Sequence, residues 1–84
     1  MSEVVVYTTN ACGYCTRVKM LLDARKIAYS EVNVGRDPEA FVDLAKRSGM
    51  MTLPQVFVGE TLVGGYQETA EADASGWLSE LIAA

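Results

Sequence analysis

Val4-Val5-Val6-Tyr7 is a continuous run of β-branched and aromatic residues, the pattern of a strand covered on both faces. Thr8 to Ala11 is a polar turn. From Gly13 to about Lys26 the apolar positions Tyr14, Cys15, Val18, Leu21 and Leu22 recur at three- and four-residue steps, with Arg17, Lys19, Asp23 and Arg25 off that face, which predicts an amphipathic helix. Ile27 to Val34 alternates, carrying Tyr29, Val32 and Val34, and reads as a second strand. Asp37-Pro38-Glu39 then supplies an N-cap, a proline at the first helical position and an acid in the first turn, and Gly49 a stop. That second helix should bury Phe41, Leu44 and Ala45.

Beyond position 50 the period changes. Gln55 to Val58 is β-rich, Gly59-Glu60 is a hairpin turn, and Thr61 to Val63 returns to Gly64-Gly65. Thr69 is read as the cap of a last helix, with Glu71 and Asp73 near its positive end, Gly76 as a kink and Trp77, Leu78, Leu81 and Ile82 as the apolar stripe. The order β-α-β-α-β-β-α makes the first two strands parallel across a helical crossover and the last two a hairpin. The class is α/β, with a four-stranded mixed sheet flanked by three helices.

Length and composition bound what such a fold can do. Eighty-four residues make a single domain, 1–84, that buries roughly 60 to 65% of its unfolded surface. Half the residues are hydrophobic and 21% are charged, a globular balance. There is no histidine, which removes histidine-based catalytic triads and imidazole metal ligands. Two cysteines cannot complete a four-ligand zinc site in one chain, so no metal is expected in the monomer. Seven cations against eleven acids give −4, which argues against nucleic acid or an anionic membrane as partner. All the cations lie between Arg17 and Arg47, whereas Met51 to Ala84 holds five acids and no base. The N-terminus lacks a basic n-region and an apolar h-region, and no apolar run approaches a membrane span, so the default address is cytoplasmic.

Cys12-Gly13-Tyr14-Cys15 falls where the first strand has ended and the first helix begins. There the backbone N–H groups are unpaired and the helix end carries about half a positive charge, so a thiolate at Cys12 is stabilised. Cys15 lies one turn on, close enough to attack a mixed disulfide formed at Cys12. Arg17 and Lys19 add positive charge nearby. Half a metal knuckle or two incidental core thiols would use the same spacing; the strand-to-helix setting and the lack of further ligands favour redox chemistry. Pro54 belongs at the start of a strand, with either a cis or a trans bond before it. Gly64-Gly65 is either a flexible turn or a close backbone approach to a ligand ahead of a helix N-terminus.

Together these residues resemble the glutaredoxins, a family of the thioredoxin-fold superfamily, over nearly the whole chain. The segments Tyr7-Thr8, Cys12-Gly13-Tyr14-Cys15, Lys46-Arg47-Ser48-Gly49, Thr52-Leu53-Pro54-Gln55-Val56-Phe57-Val58 and Gly64-Gly65 stand in the family's order. The resemblance implies a thioredoxin fold and a glutathione-dependent thiol–disulfide oxidoreductase that reduces protein disulfides and glutathione mixed disulfides. Cys12 is then the nucleophile, Cys15 the resolving thiol and Pro54 cis. Glutathione, the reductant, would lie on Tyr14, Thr52, Leu53 and Pro54, with Gly65, Tyr66 and Gln67 under its γ-glutamyl end. Its partners would be glutathione and disulfide-containing or glutathionylated proteins, served by a monomer.

Departures from the family pattern define the alternatives. Gly13 replaces the usual proline, Thr9 a lysine, Met50 and Met51 an arginine, and Tyr66-Gln67-Glu68 a small residue with acids. Arg36, Lys46 or Arg47 is the expected substitute for the missing cations. One alternative is a redoxin fed by thioredoxin reductase, an electron donor for example to ribonucleotide reductase. The other is a carrier of a 2Fe-2S cluster, with Cys12 from each of two chains and two glutathiones as ligands.

Overall fold

The computed structural model describes residues 1–84. Strands β1 (Val4–Thr8), β2 (Ser30–Asn33), β3 (Gln55–Val58) and β4 (Thr61–Gly64) form one sheet in the order β2-β1-β3-β4. β1 is parallel to β2 and antiparallel to β3, which is antiparallel to β4. The parallel pair is joined through the helix α1 (Gly13–Ala24), as a parallel connection requires. The predicted mixed sheet and its α/β topology are therefore present.

Alternation along the strands sorts the side chains onto two faces. On one, Val4, Val6, Val56, Val58 and Val63 meet Val18 and Leu22 of α1, Ala72 of α3 (Tyr66–Ser75) and Leu78 of α4 (Trp77–Ala83). On the other, Phe57 packs with Val34 and with Leu44 of α2 (Pro38–Ser48), flanked by Tyr7, Phe41 and Leu62. β1 is unequally covered: Val4 and Val6 are buried while Val5 and Tyr7 are half-buried. Each fully buried side chain of the size of Leu22, Leu44 or Leu78 stabilises the fold by about 1.5 to 3 kcal/mol.

The caps of α2 follow the sequence. The Asp37 carboxylate accepts the Ala40 N–H at 3.1 Å, Pro38 opens the helix, and Gly49 closes it in the left-handed conformation at φ 73°. Leu44 is buried, whereas Phe41 and Ala45 are only half-buried.

Three boundaries differ from the sequence reading. β2 is shorter than Ile27–Val34, because the chain leaves α1 through Lys26 at φ 57° and pairs with β1 only from Ser30. The last helix begins at Tyr66, not Thr69, with Gly65 as its N-cap. Thr69 lies inside it, buried, its hydroxyl donating to the Gly65 carbonyl at 2.8 Å. At Gly76, φ 88°, that helix ends outright and a separate α4 follows, giving four helices in place of three. Trp77, expected in the apolar stripe, is 42% exposed. No helix is long and apolar enough to cross a membrane.

Candidate active site

The turn after β1 passes through Ala11, itself left-handed at φ 53°, and delivers Cys12 to the N-cap of α1 with φ −111° and ψ 110°. An N-cap side chain normally accepts a free backbone N–H of the first turn. Here the acceptor is sulfur: Cys12 Sγ takes the Cys15 N–H at 3.1 Å. The Cys12 thiol in turn donates to the Leu53 carbonyl at 3.8 Å, and the Leu53–Pro54 bond is cis. Cys12 is half-buried; Cys15, facing the core beside Val18 and Leu22, is only 2% exposed. Burial first, then its hydrogen bond with Cys12, pushes the Cys15 thiol up to about 11. Cys15 is thus held as a thiol at neutral pH, while Cys12 is the sulfur that solvent and partners can reach.

Two clefts flank the pair. The first, about 610 Å³, lies between the start of α1, the loop before β3 and the N-terminus of α3. Tyr14, Thr52, Leu53, Pro54, Gly65, Tyr66 and Gln67 all line it, so every groove residue singled out from the sequence comes to one place. Tyr14 falls on the apolar helix face by its spacing, yet it is 59% exposed and forms a wall of this groove, its ring 5.9 Å from that of Tyr66. Arg17 lies over the Tyr14 ring at 5.4 Å and is the only cation in the lining. Arg36, Lys46 and Arg47 do not line it; Arg47 instead stacks on Tyr7 and Phe57, 5.6 Å from each ring, and donates to the Tyr7 hydroxyl at 3.2 Å.

Two further residues, which the sequence pattern does not mark as site residues, shape the groove. Glu68 folds back so that its carboxylate accepts the Gly65 N–H at 2.8 Å. The glycine pair allows this: a side chain at Gly64, φ 130°, would put its first carbon 2.7 Å from Glu68 Cβ. The Glu68 spacing after Gly65 is that of a capping box, a signal the sequence offers. Gln55, fully buried on β3, donates its amide N–H groups to the Met50 and Thr52 carbonyls at 3.1 and 3.0 Å and so pins the loop that carries Leu53. No periodicity marks it.

The second cleft, about 470 Å³ and on the other side of Cys12, holds both cysteines together with Asn10, Asn33, Lys19 and Glu31. Lys19, expected to add charge near the sulfurs, pairs with Glu31 at 3.2 Å. Glu31 also accepts the Thr8 hydroxyl at 2.7 Å, and these two partners hold its carboxyl below the usual range. Nowhere do three His, Cys, Asp or Glu side chains gather as a metal-ligand set.

Residues 4–63 match the glutaredoxin family model. The chain belongs to the glutaredoxin family. It is a thiol–disulfide oxidoreductase of the thioredoxin-fold superfamily, with two cysteines in its active site. Over 84 residues it is 38% identical to a glutaredoxin of Pseudomonas aeruginosa, the match spanning 100% of both chains. It is 33% identical over 82 residues to glutaredoxin 3 of Escherichia coli, covering 98% of this chain and 99% of the relative. Among solved structures, the buckwheat glutaredoxin–glutathione complex superposes with a TM-score of 0.87 at 28% identity, over 98% of this chain and 77% of that one. A glutaredoxin from Brucella melitensis gives 0.86 at 34% identity, over 98% and 89%.

Proposed function

We propose that the chain is a glutathione-dependent reductase of protein disulfides and glutathione mixed disulfides, with Cys12 as nucleophile. The observation that carries this reading is the Cys12 sulfur at the helix N-cap, facing the Cys15 N–H at 3.1 Å and bordered by the groove of Tyr14, Leu53 and Tyr66. An N–H aimed at sulfur, at the positive end of a helix, is the interaction a thiolate nucleophile needs in a chain without histidine.

In the proposed sequence the Cys12 thiolate attacks a target disulfide, forming a Cys12–target disulfide and releasing one target thiolate. Cys15 loses its proton to solvent and attacks Cys12. The Cys12–Cys15 bond forms, the bond to the target breaks, and the second target sulfur leaves as thiolate and takes a proton. The dithiol has been oxidised by two electrons and the target reduced by two. Two glutathione thiols then reverse the change, ending as glutathione disulfide. For a glutathionylated target, Cys12 takes the glutathione directly and a second glutathione frees it.

Glutathione is assigned to the 610 Å³ groove. The Leu53 backbone pairs with its cysteinyl residue, Thr52 and Pro54 form the floor, and Tyr14 flanks it. Gly65, Tyr66 and Gln67 offer the start of α3 to the γ-glutamyl carboxylate. Support comes from the gathering of these residues beside Cys12 and from the glutathione complex of the buckwheat relative. The chain has one accessible thiol and no three-ligand set, so a 2Fe-2S cluster would need thiolates from outside it, and no step of the proposed reaction runs through one.

The test is turnover of a glutathione mixed disulfide with glutathione as reductant. Cys12→Ser is expected to lose all thiol transfer, and Cys15→Ser to lose protein-disulfide reduction while still removing glutathione from a protein. Activity remaining in Cys12→Ser, or electrons accepted from thioredoxin reductase and not from glutathione, would overturn the reading.

A further inference from the structure

The proposed reaction asks a buried thiol to become an anion. Cys15 is 2% exposed, and both its burial and its hydrogen bond with Cys12 oppose ionisation. Yet in the resolving step its sulfur must carry negative charge as it approaches Cys12. The groups around it are few. The turn between β1 and α1 contributes Thr9, whose backbone hydrogen-bonds the Cys15 sulfur and favours its ionised form, and the neutral Asn10. The charged or titratable groups are Cys12 and Lys19 on the α1 side and Glu31 on β2, with Asp23 and Tyr29 beyond Lys19.

Lys19 is four residues after Cys15 on α1, hence one turn along the same face, and both line the second cleft. Glu31 pairs in register with Val6, whose side chain faces α1, so its carboxylate reaches across β1 toward that helix. There it is fixed by the Thr8 hydroxyl at 2.7 Å, Thr8 being 1% exposed, and it holds the Lys19 ammonium at 3.2 and 3.3 Å. A flexible lysine is thereby anchored beside the resolving thiol by a chain of contacts that begins in the core.

We propose that Lys19 is a positioning residue for the resolving step: its ammonium, anchored by Glu31 and Thr8, stabilises the charge on Cys15 as it attacks the Cys12 mixed disulfide. Glu31 then has two opposed effects. It places the cation, and its own charge offsets part of the cation's field. The same direction appears in the thiol itself, which the Thr9 backbone and, to a smaller extent, the Lys19 ammonium draw down against burial and the hydrogen bond with Cys12. The inference rests on Cys15 acting as the resolving thiol, and it adds a role for the second cleft that the glutathione groove does not supply.

The experiment is the rate of target release from a preformed Cys12 mixed disulfide with a protein thiol, followed from pH 6 to 10 in the full chain. Lys19→Gln is expected to move the rising limb to higher pH and to slow release at pH 7 by about three- to tenfold, the effect of a partly screened unit charge. Lys19→Arg should restore the wild-type profile. Glu31→Gln should move the limb the opposite way, to lower pH, because the amide still accepts the Lys19 N–H but no longer offsets its charge. A structural role alone would not produce opposite shifts from the two partners of one ion pair. Shifts in the same direction, or none, overturn the inference, as does a Lys19→Gln shift that persists in glutathione transfer when Cys15 is already serine. If Cys15→Ser still releases the protein thiol at the wild-type rate, the resolving role itself fails, a result distinct from those.

Discussion

Gln55, buried in the central strand β3, donates its side-chain amide to the Thr52 carbonyl at 3.0 Å, one residue short of the Leu53 carbonyl that meets the Cys12 sulfur. Its second N–H goes to Met50 O, while its Oε1 has no partner. The opposition of two carbonyls fixes which end of the amide faces the loop. Gln55→Leu removes both donors and also the unpaired acceptor, so the net loss of stability should be modest, roughly 1 to 2 kcal/mol in a denaturant titration. The functional loss should be larger: the KM for a glutathione mixed disulfide rises with kcat largely kept, the signature of a loosened binding loop.

The two thiols should be separable by alkylation. At pH 7 a limiting exposure of the reduced protein to iodoacetamide is expected to give one adduct, at Cys12, by peptide mass spectrometry, since Cys15 is buried and held protonated. An adduct first at Cys15 would contradict the geometry.

Stability at alkaline pH should carry the mark of Cys15. Its folded value of about 11 exceeds the ordinary 9.0, so the folded chain binds this proton more tightly than the unfolded one. The contribution is whole below about pH 9 and is lost as pH rises through about 11. Tyr29 and Lys19, both also raised, push in the same direction, so the comparison must be with Cys15→Ser under reducing conditions. The wild type is expected to lose more melting temperature than the variant between those two pH values.

Gly13 is open to proline. It is the first residue of α1, nothing lies within 4 Å of where its side chain would start, and Cys12 before it already has the extended backbone that a following proline requires. Gly13→Pro should raise stability by about 0.4 to 1 kcal/mol through the unfolded state, seen as a higher melting temperature.

Gly64 is the opposite case. An alanine there meets Glu68 Cβ at 2.7 Å from a backbone at φ 130°, so Gly64→Ala should cost about 1 to 3 kcal/mol and release the Gly65 N–H from its carboxylate partner. The denaturation midpoint and glutathione-dependent turnover should both fall in this variant. In Gly49→Ala, where no atom is near, only the left-handed helix end is affected and turnover should be kept.

The sheet and first two helices were legible because their signals are local: β-branched runs, a cap at Asp37, a stop at Gly49. The reactive pair was legible for the same reason, since Cys12 and Cys15 are three apart on one helix start. What failed was also local reasoning where tertiary contacts decide. Thr69 has the chemistry of a cap, but the Glu68 carboxylate reaches back to Gly65 and starts the helix a turn earlier. Tyr14 fits an apolar helix stripe, yet Cys15 and Val18 take the core and leave it on the rim. The pairing of Lys19 with Glu31 spans 12 residues and two elements, and only the register of β2 on β1 reveals it.

The ends of the chain meet. Ser2 donates its N–H to the Ile82 carbonyl at 2.9 Å and its hydroxyl to that of Ala84 at 3.1 Å, at the start of β1, the strand whose far end leads to Cys12. Anything tethered to either terminus therefore hangs from one pole of the molecule, a strand's length from the thiols. A reporter joined there can share the protein's redox state without standing in the path of its targets, and a short linker across that pole should let new ends be cut elsewhere in the chain.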